Sequence, residues 1–164
     1  MSTEVESLLR TTVTSITSRG GRVIGLLGFS QGTRIVAGLL KGAEIRREKG
    51  TVGDGLEWLD FAFAVSVCGS YPPLVVPESA LKVLGADEEE AVLKKKIEVP
   101  TLHVQGNQDE WQWAGKLLIE GSYEVAEGKS KVVQVDMGHH YPVKAEDSEM
   151  IRDWVLSTQG MTGA

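Results

Sequence analysis

Three short stretches hold residue types that could perform one piece of chemistry together: "GFSQG" at Gly28–Gly32, "LHVQGNQDEW" at Leu102–Trp111 and "VVQVDMGHHYP" at Val132–Pro142. A serine hydroxyl is a weak nucleophile until a base takes its proton. Histidine is the usual base, and a carboxylate holds its ring in the correct tautomer. Ser30, Asp109 and the adjacent His139 and His140 occur in the chain order serine, acid, histidine. That is the order in parallel-sheet proteins that carry the nucleophile on a sharp strand-to-helix turn. G-x-S-x-G alone is a weak signal, because a generic turn with a capping serine reads the same way. Its context adds weight: an apolar run, Val23–Leu27, enters it and a helical pattern leaves it. Gly28 and Gly32 are expected to clear space around the serine. The backbone N–H of Gln31, at the start of the helix, would face a developing oxyanion.

The elements that must position these residues alternate along the chain. Val5, Leu8, Leu9, Val13 and Ile16 recur at helical spacing, which predicts a helix over residues 3–18. Val23–Leu27 is too short for a helix and reads as a strand. Thr33 to about Lys49 reads as the helix that follows. "FAFAVSVC", Phe61–Cys68, is apolar nearly throughout, as a strand buried on both faces should be. Thr101–Gln105 and Lys131–Val135 read as two more strands, Trp111–Ile119 and Glu146–Leu156 as two more helices. The last carries Met150, Ile151, Trp154 and Val155 on its apolar side. Strands separated by helical segments imply an α/β domain: about four parallel strands with helices on both faces. Asp109 and the His139–His140 pair both follow strands. With Ser30 they all lie at the carboxyl edge, where such sheets build their sites.

Two segments interrupt the alternation. Arg47–Gly55 is a polar loop containing glycine. Ser70–Pro100 is longer, has three early prolines, and contains "DEEEAVLKKK", a solvated helix with pairs such as Glu90 with Lys94. Tyr71, Pro72 and Pro73 follow the second strand and are expected to border a substrate pocket; the remainder of 70–100 is a candidate cap. Trp111 and Trp113 either line that pocket or pack their helix onto the sheet. His103 is expected as a packed core histidine, Cys68 as a buried small apolar residue, and Asp136 as a loop or capping aspartate. No zinc-type spacing links the histidines and Cys68, so no metal is expected.

At 164 residues the chain reads as one domain, residues 1–164. A net charge of −6 argues against nucleic acid as a partner. No apolar run approaches the ~20 residues that span a bilayer. "MSTEVESLLR" lacks the layout of a signal peptide, and a single cysteine makes no internal disulfide, so a cytoplasmic setting is expected.

The motifs "GFSQG", "LHVQGNQDEW" and "GHHYP" resemble those of the fungal-type serine hydrolases, the FSH family of the α/β-hydrolase superfamily. The resemblance runs from about Val23 to Trp154. It implies a shortened α/β-hydrolase fold and a serine esterase or thioesterase that needs no cofactor. It also implies Ser30 as nucleophile, Asp109 as acid, His139 rather than His140 as base, and Gln31 as one oxyanion donor. Family members resemble enzymes that release or trim acyl products alongside polyketide synthases. A polyketide-type acyl thioester is therefore the expected substrate and an acyl-carrying synthase the expected partner. Tyr71 and Trp111 are the expected substrate contacts.

The chain departs from the family at its start. Family members place further strands, and a loop giving the second oxyanion donor, before the nucleophile strand. Here one helix, within residues 1–22, precedes it. Losing one oxyanion donor typically removes about 3 kcal/mol of transition-state stabilisation. The nucleophile strand is also expected to form a sheet edge. Three outcomes fit such an edge: a homodimer paired along it, pairing with another polypeptide, or a chain shortened at its start. The alternative to an enzyme is a hydrolase fold that keeps its triad residues but acts as a binding, scaffold or non-hydrolytic pathway protein.

Overall fold

The computed structural model describes residues 1–50 and 55–160. Thr51–Asp54, within the loop expected over 47–55, lie outside the described residues. The elements in order are α1 (Thr3–Ser18), β1 (Gly25–Phe29), α2 (Gly32–Lys49), β2 (Phe63–Val67), α3 (Glu78–Lys82), α4 (Ala86–Lys94), β3 (Thr101–Gly106), α5 (Gln112–Ser122), β4 (Ser130–Val135) and α6 (Ala145–Thr158). The four strands form one sheet in the order β1-β2-β3-β4, and every pairing is parallel. This is the α/β architecture read from the alternation of the sequence.

Alternate residues of β1 and β2 face two separate cores. On one side Leu26 and Ala64 meet α2 and α5, through Val36, Leu40, Ala43 and Leu118, with Leu9 and Val13 of α1 packed against the same cluster. On the other side Val65, Val67, Leu102, Val104 and Val135 meet Met150, Ile151, Trp154 and Val155 of α6. All residues of β2 and β3 are buried, which is why their sequences show no alternation. Among the described residues β1 pairs with β2 alone and forms an edge, where Leu27 is 56% exposed.

Two strands start later than the apolar runs suggest. Pairing begins at Gly25 opposite Phe63, so Val23 and Ile24 precede β1, and the strand runs on to Phe29. Phe61 is 1% exposed yet lies before β2: an apolar residue can be buried without entering the ladder. The segment after β2 folds against the flank of α2. Leu74, Val76, Ala80, Leu81, Leu84, Val92 and Leu93 join the α2 core, and Glu6 of α1 accepts hydrogen bonds from Glu78 N at 2.6 Å and Ser79 N at 3.2 Å at the start of α3. Glu90 and Lys94 pair at 2.5 Å on α4.

Candidate active site

Ser30 follows β1 at once, and its φ of +50° lies in the left-handed region that a residue with a Cβ rarely adopts. The surroundings hold it there. Its N–H donates to Val67 O at 3.1 Å, and its carbonyl accepts from Thr33 N at 3.0 Å and Thr33 Oγ1 at 2.6 Å. The turn needs a glycine before it: a Cβ on Gly28 would stand 2.8 Å from Val36 Cγ2 and 3.0 Å from Gly32 O, blocking the approach of α2. Gly32 differs from expectation. A Cβ there would meet nothing within 4 Å, so its role is not clearance. Gln31 caps α2 in helical conformation, directly after Ser30, with its own N–H at the helix start.

The strand ends bring the other two side chains to Ser30. Asp109 lies in the loop after β3. Its side chain is 1% exposed, and Oδ1 accepts from Trp111 N at 2.8 Å. His139 lies in the loop after β4, and this loop crosses directly over the end of β3. A Cβ on Gly106 would stand 2.4 Å from Met137 O and 2.8 Å from Gly138 O, so only glycine admits the crossing. His139 Nδ1 lies 2.9 Å from Asp109 Oδ2, and His139 Nε2 lies 3.0 Å from Ser30 Oγ. With Nδ1 protonated, the ring donates to the carboxylate and accepts the serine hydroxyl. Phe29 flanks the ring at 5.1 Å and stacks on Tyr141 at 5.0 Å.

Burial alone would raise the Asp109 carboxyl. The hydrogen bonds from His139 and from Trp111 N–H, the His139 charge and the bond from Cys68 outweigh it and hold the group below its ordinary value. It is therefore ionised at neutral pH beside the His139 ring.

The remaining candidates separate clearly. His140 turns away, with Nδ1 2.7 Å from Tyr141 O. Asp136 accepts from Gln108 Nε2 at 2.6 Å and lies 3.6 Å from Lys144, apart from His139. His103 is fully buried beside Tyr123, and desolvation lowers it to about 3. Tyr71 is 44% exposed, with the Arg34 guanidinium 5.1 Å over its ring. Trp111 is 50% exposed; its backbone N–H serves Asp109, and its indole lies 6.3 Å from that of Trp113. A cavity of about 190 Å³ adjoins the elbow, lined in part by Gln31, Arg34, Ile35 and Val75.

Cys68, Asp109 and His139 present ligand-type atoms within 4.8 Å of one another. They come from three separate loops, a grouping that motif spacing could not reveal. A cation there would compete with the His139–Asp109 hydrogen bond. Sequence reading also passed over Thr33. It is buried, and its hydroxyl accepts from Ser70 N at 3.0 Å while donating to Ser30 O, tying the loop after β2 to the elbow. Its place three residues after the serine was the available signal.

A parallel sheet with a serine at a strained strand-to-helix turn, met by an acid and a histidine from later strand ends, defines an α/β-hydrolase. The family model described as "Serine hydrolase (FSH1)" matches residues 3–151, and the chain belongs to that family. Among curated relatives, it is 26% identical over 156 residues to "Probable esterase tazC" of Aspergillus terreus, covering 87% of this chain and 57% of that protein. It is 24% identical over 143 residues to "Thioesterase FSL2" of Gibberella zeae, covering 82% and 50%. The chain thus spans about half the length of the curated relatives it matches. The type II thioesterase BorB from the borrelidin biosynthetic cluster shares the fold with a TM-score of 0.51 at 14% identity, covering 94% of this chain and 70% of that one.

Proposed function

We propose that the protein is a serine hydrolase that cleaves a carboxylic ester or thioester through Ser30, His139 and Asp109. The hydrogen-bonded chain from Ser30 Oγ through His139 to Asp109, at 3.0 Å and 2.9 Å, carries the reading. His139 Nε2 takes the hydroxyl proton as Ser30 Oγ attacks the acyl carbon. Asp109 keeps Nδ1 protonated and stabilises the imidazolium. The Gln31 N–H, at the start of α2, is the proposed donor to the oxyanion. The imidazolium returns its proton to the departing alkoxide or thiolate, leaving an acyl-enzyme. A water, deprotonated by His139, then releases the acid and restores Ser30.

The exposed rings of Tyr71 and Trp111, on the loops after β2 and β3, are the proposed contacts for the acyl chain. A polyketide-type acyl thioester is the proposed substrate, supported by the family resemblance and by the relative named as a thioesterase. The test is steady-state hydrolysis of a p-nitrophenyl ester and of matched N-acetylcysteamine thioesters with short, long and polyketide-like acyl groups. Turnover that disappears in Ser30→Ala supports the hydrolase reading, and a preference for the polyketide-like thioester supports the substrate. Equal background rates for the natural chain and Ser30→Ala overturn the reading and favour a binding or scaffold role.

A further inference from the structure

Ser30 has a counterpart on the neighbouring strand. Cys68 follows β2 with φ +47°, beside +50° at Ser30, and no other non-glycine residue among those described has a positive φ. The two turns repeat one hydrogen bond: Ser30 N–H donates to Val67 O at 3.1 Å, and Cys68 N–H donates to Val104 O at 2.9 Å, one strand further on. Such backbone is disfavoured for any residue with a Cβ and persists where its surroundings enforce it.

The thiol is fully buried behind the triad. Sγ lies 3.7 Å from Gly138 O and 3.6 Å from His140 O, the carbonyls of the residues on either side of His139. It also lies near Asp109 and His139: Sγ, a carboxylate oxygen and a ring nitrogen of the three residues are within 4.8 Å of one another. One side chain thus meets the backbone on both sides of His139 and stands beside Asp109.

We infer that Cys68 is a positioning residue for the proposed hydrolysis: its S–H, beside the Asp109 carboxylate and directed to the Gly138 and His140 carbonyls, fixes the His139 loop at the distance where Nε2 meets Ser30. This rests on the hydrolase reading above. Burial, and then the adjacent Asp109, push the thiol up to about 11, so at neutral pH it remains a donor and does not repel the carboxylate. A buried protonated thiol is also a poor nucleophile, which leaves Ser30 without a rival. The titratable groups that face the thiol are Asp109 after β3 and His139 and His140 on the loop after β4.

Cys68→Ala keeps the side chain small and removes the donor. Cys68→Ser restores a donor, and Cys68→Gly removes it while relaxing the backbone. Two readouts apply to each: kcat and KM on a p-nitrophenyl ester, and the titration of the Asp109 carboxyl followed by carbon NMR. Cys68→Ala is expected to lower kcat about tenfold with KM within about twofold. It should also move the Asp109 titration to higher pH, because the carboxylate loses a donor. Cys68→Ser is expected to restore both, and Cys68→Gly to match Cys68→Ala. Natural values of both readouts in Cys68→Ala, or a Cys68→Ser as impaired as Cys68→Ala, overturn the assignment. If Cys68→Ala lacks native circular dichroism, the contrast between Cys68→Ser and Cys68→Gly decides in the same two readouts. If the natural chain turns over no ester, the hydrolase reading fails, and the Asp109 titration still reports whether Cys68 holds the carboxylate.

Discussion

Gly106→Ala puts the geometry of the site at risk through a single methyl group. The new Cβ would stand 2.4 Å from Met137 O and 2.8 Å from Gly138 O, and both are backbone atoms that no rotamer change can move aside. Real Cβ contacts stay above 3.0 Å, so the loop after β4 must lift by at least about 0.6 Å at Met137. His139 lies two residues further along this loop, and its Nε2 is 3.0 Å from Ser30 Oγ. A lift passed on in full gives about 3.6 Å, beyond a hydrogen bond. Misplacement of this size lowers the rate by about 10²-fold, and overpacking destabilises the fold by about 1–3 kcal/mol. The assay is the second-order rate of fluorophosphonate labelling, with thermal melting as the control for folding. The expected variant is folded, melts lower and labels about 10²-fold more slowly. A folded Gly106→Ala that labels at the natural rate would refute the argument that this crossing sets the His139–Ser30 distance.

Three further outcomes follow from the same structure. Thr33→Val leaves Ser70 N–H without its acceptor and Ser30 O with one bond fewer, and is expected to lower stability by about 1–3 kcal/mol in urea unfolding. Asp109→Asn is expected to lower kcat about 10⁴-fold in ester hydrolysis with little change in melting temperature, because the amide favours the wrong imidazole tautomer. His103 is neutral in the fold, lowered to about 3 by burial, so the unfolded chain binds the extra proton as pH falls below about 6.5. Its contribution to stability is whole above that pH and is lost as pH falls toward 3, with a slope approaching about 1.4 kcal/mol per pH unit. Chemical unfolding between pH 7 and 4 should show this slope in the natural chain and a shallower one in His103→Gln.

The sequence made the frame of the site legible because parallel strands advertise themselves. "FAFAVSVC" shows a strand buried on both faces, and the loops after β1, β3 and β4 of the same sheet hold Ser30, Asp109 and His139. Boundaries were less legible. α5 continues through Gly121 to Ser122, although glycine lowers helix propensity, because Leu118, Ile119 and Ser122 are buried. The supports of the site were not legible at all. Cys68 and Thr33 act across strands, and Gly106 is required by a loop some thirty residues later in the chain, so their roles follow from close approach in space and from no local pattern. Cys68 is buried, as its place at the end of an apolar run predicts, but burial alone does not show what its thiol touches. Gly32 shows the converse. Its motif position suggested a steric role that the open space around it does not support.

The most direct test of the central claim is labelling with a fluorophosphonate, read as intact mass and mapped by peptide sequencing, on protein whose fold is confirmed by circular dichroism. The account predicts one adduct per chain, on Ser30, absent in Ser30→Ala and greatly slowed in a folded His139→Ala. A folded natural chain with no adduct, or with its adduct on another residue, would contradict it.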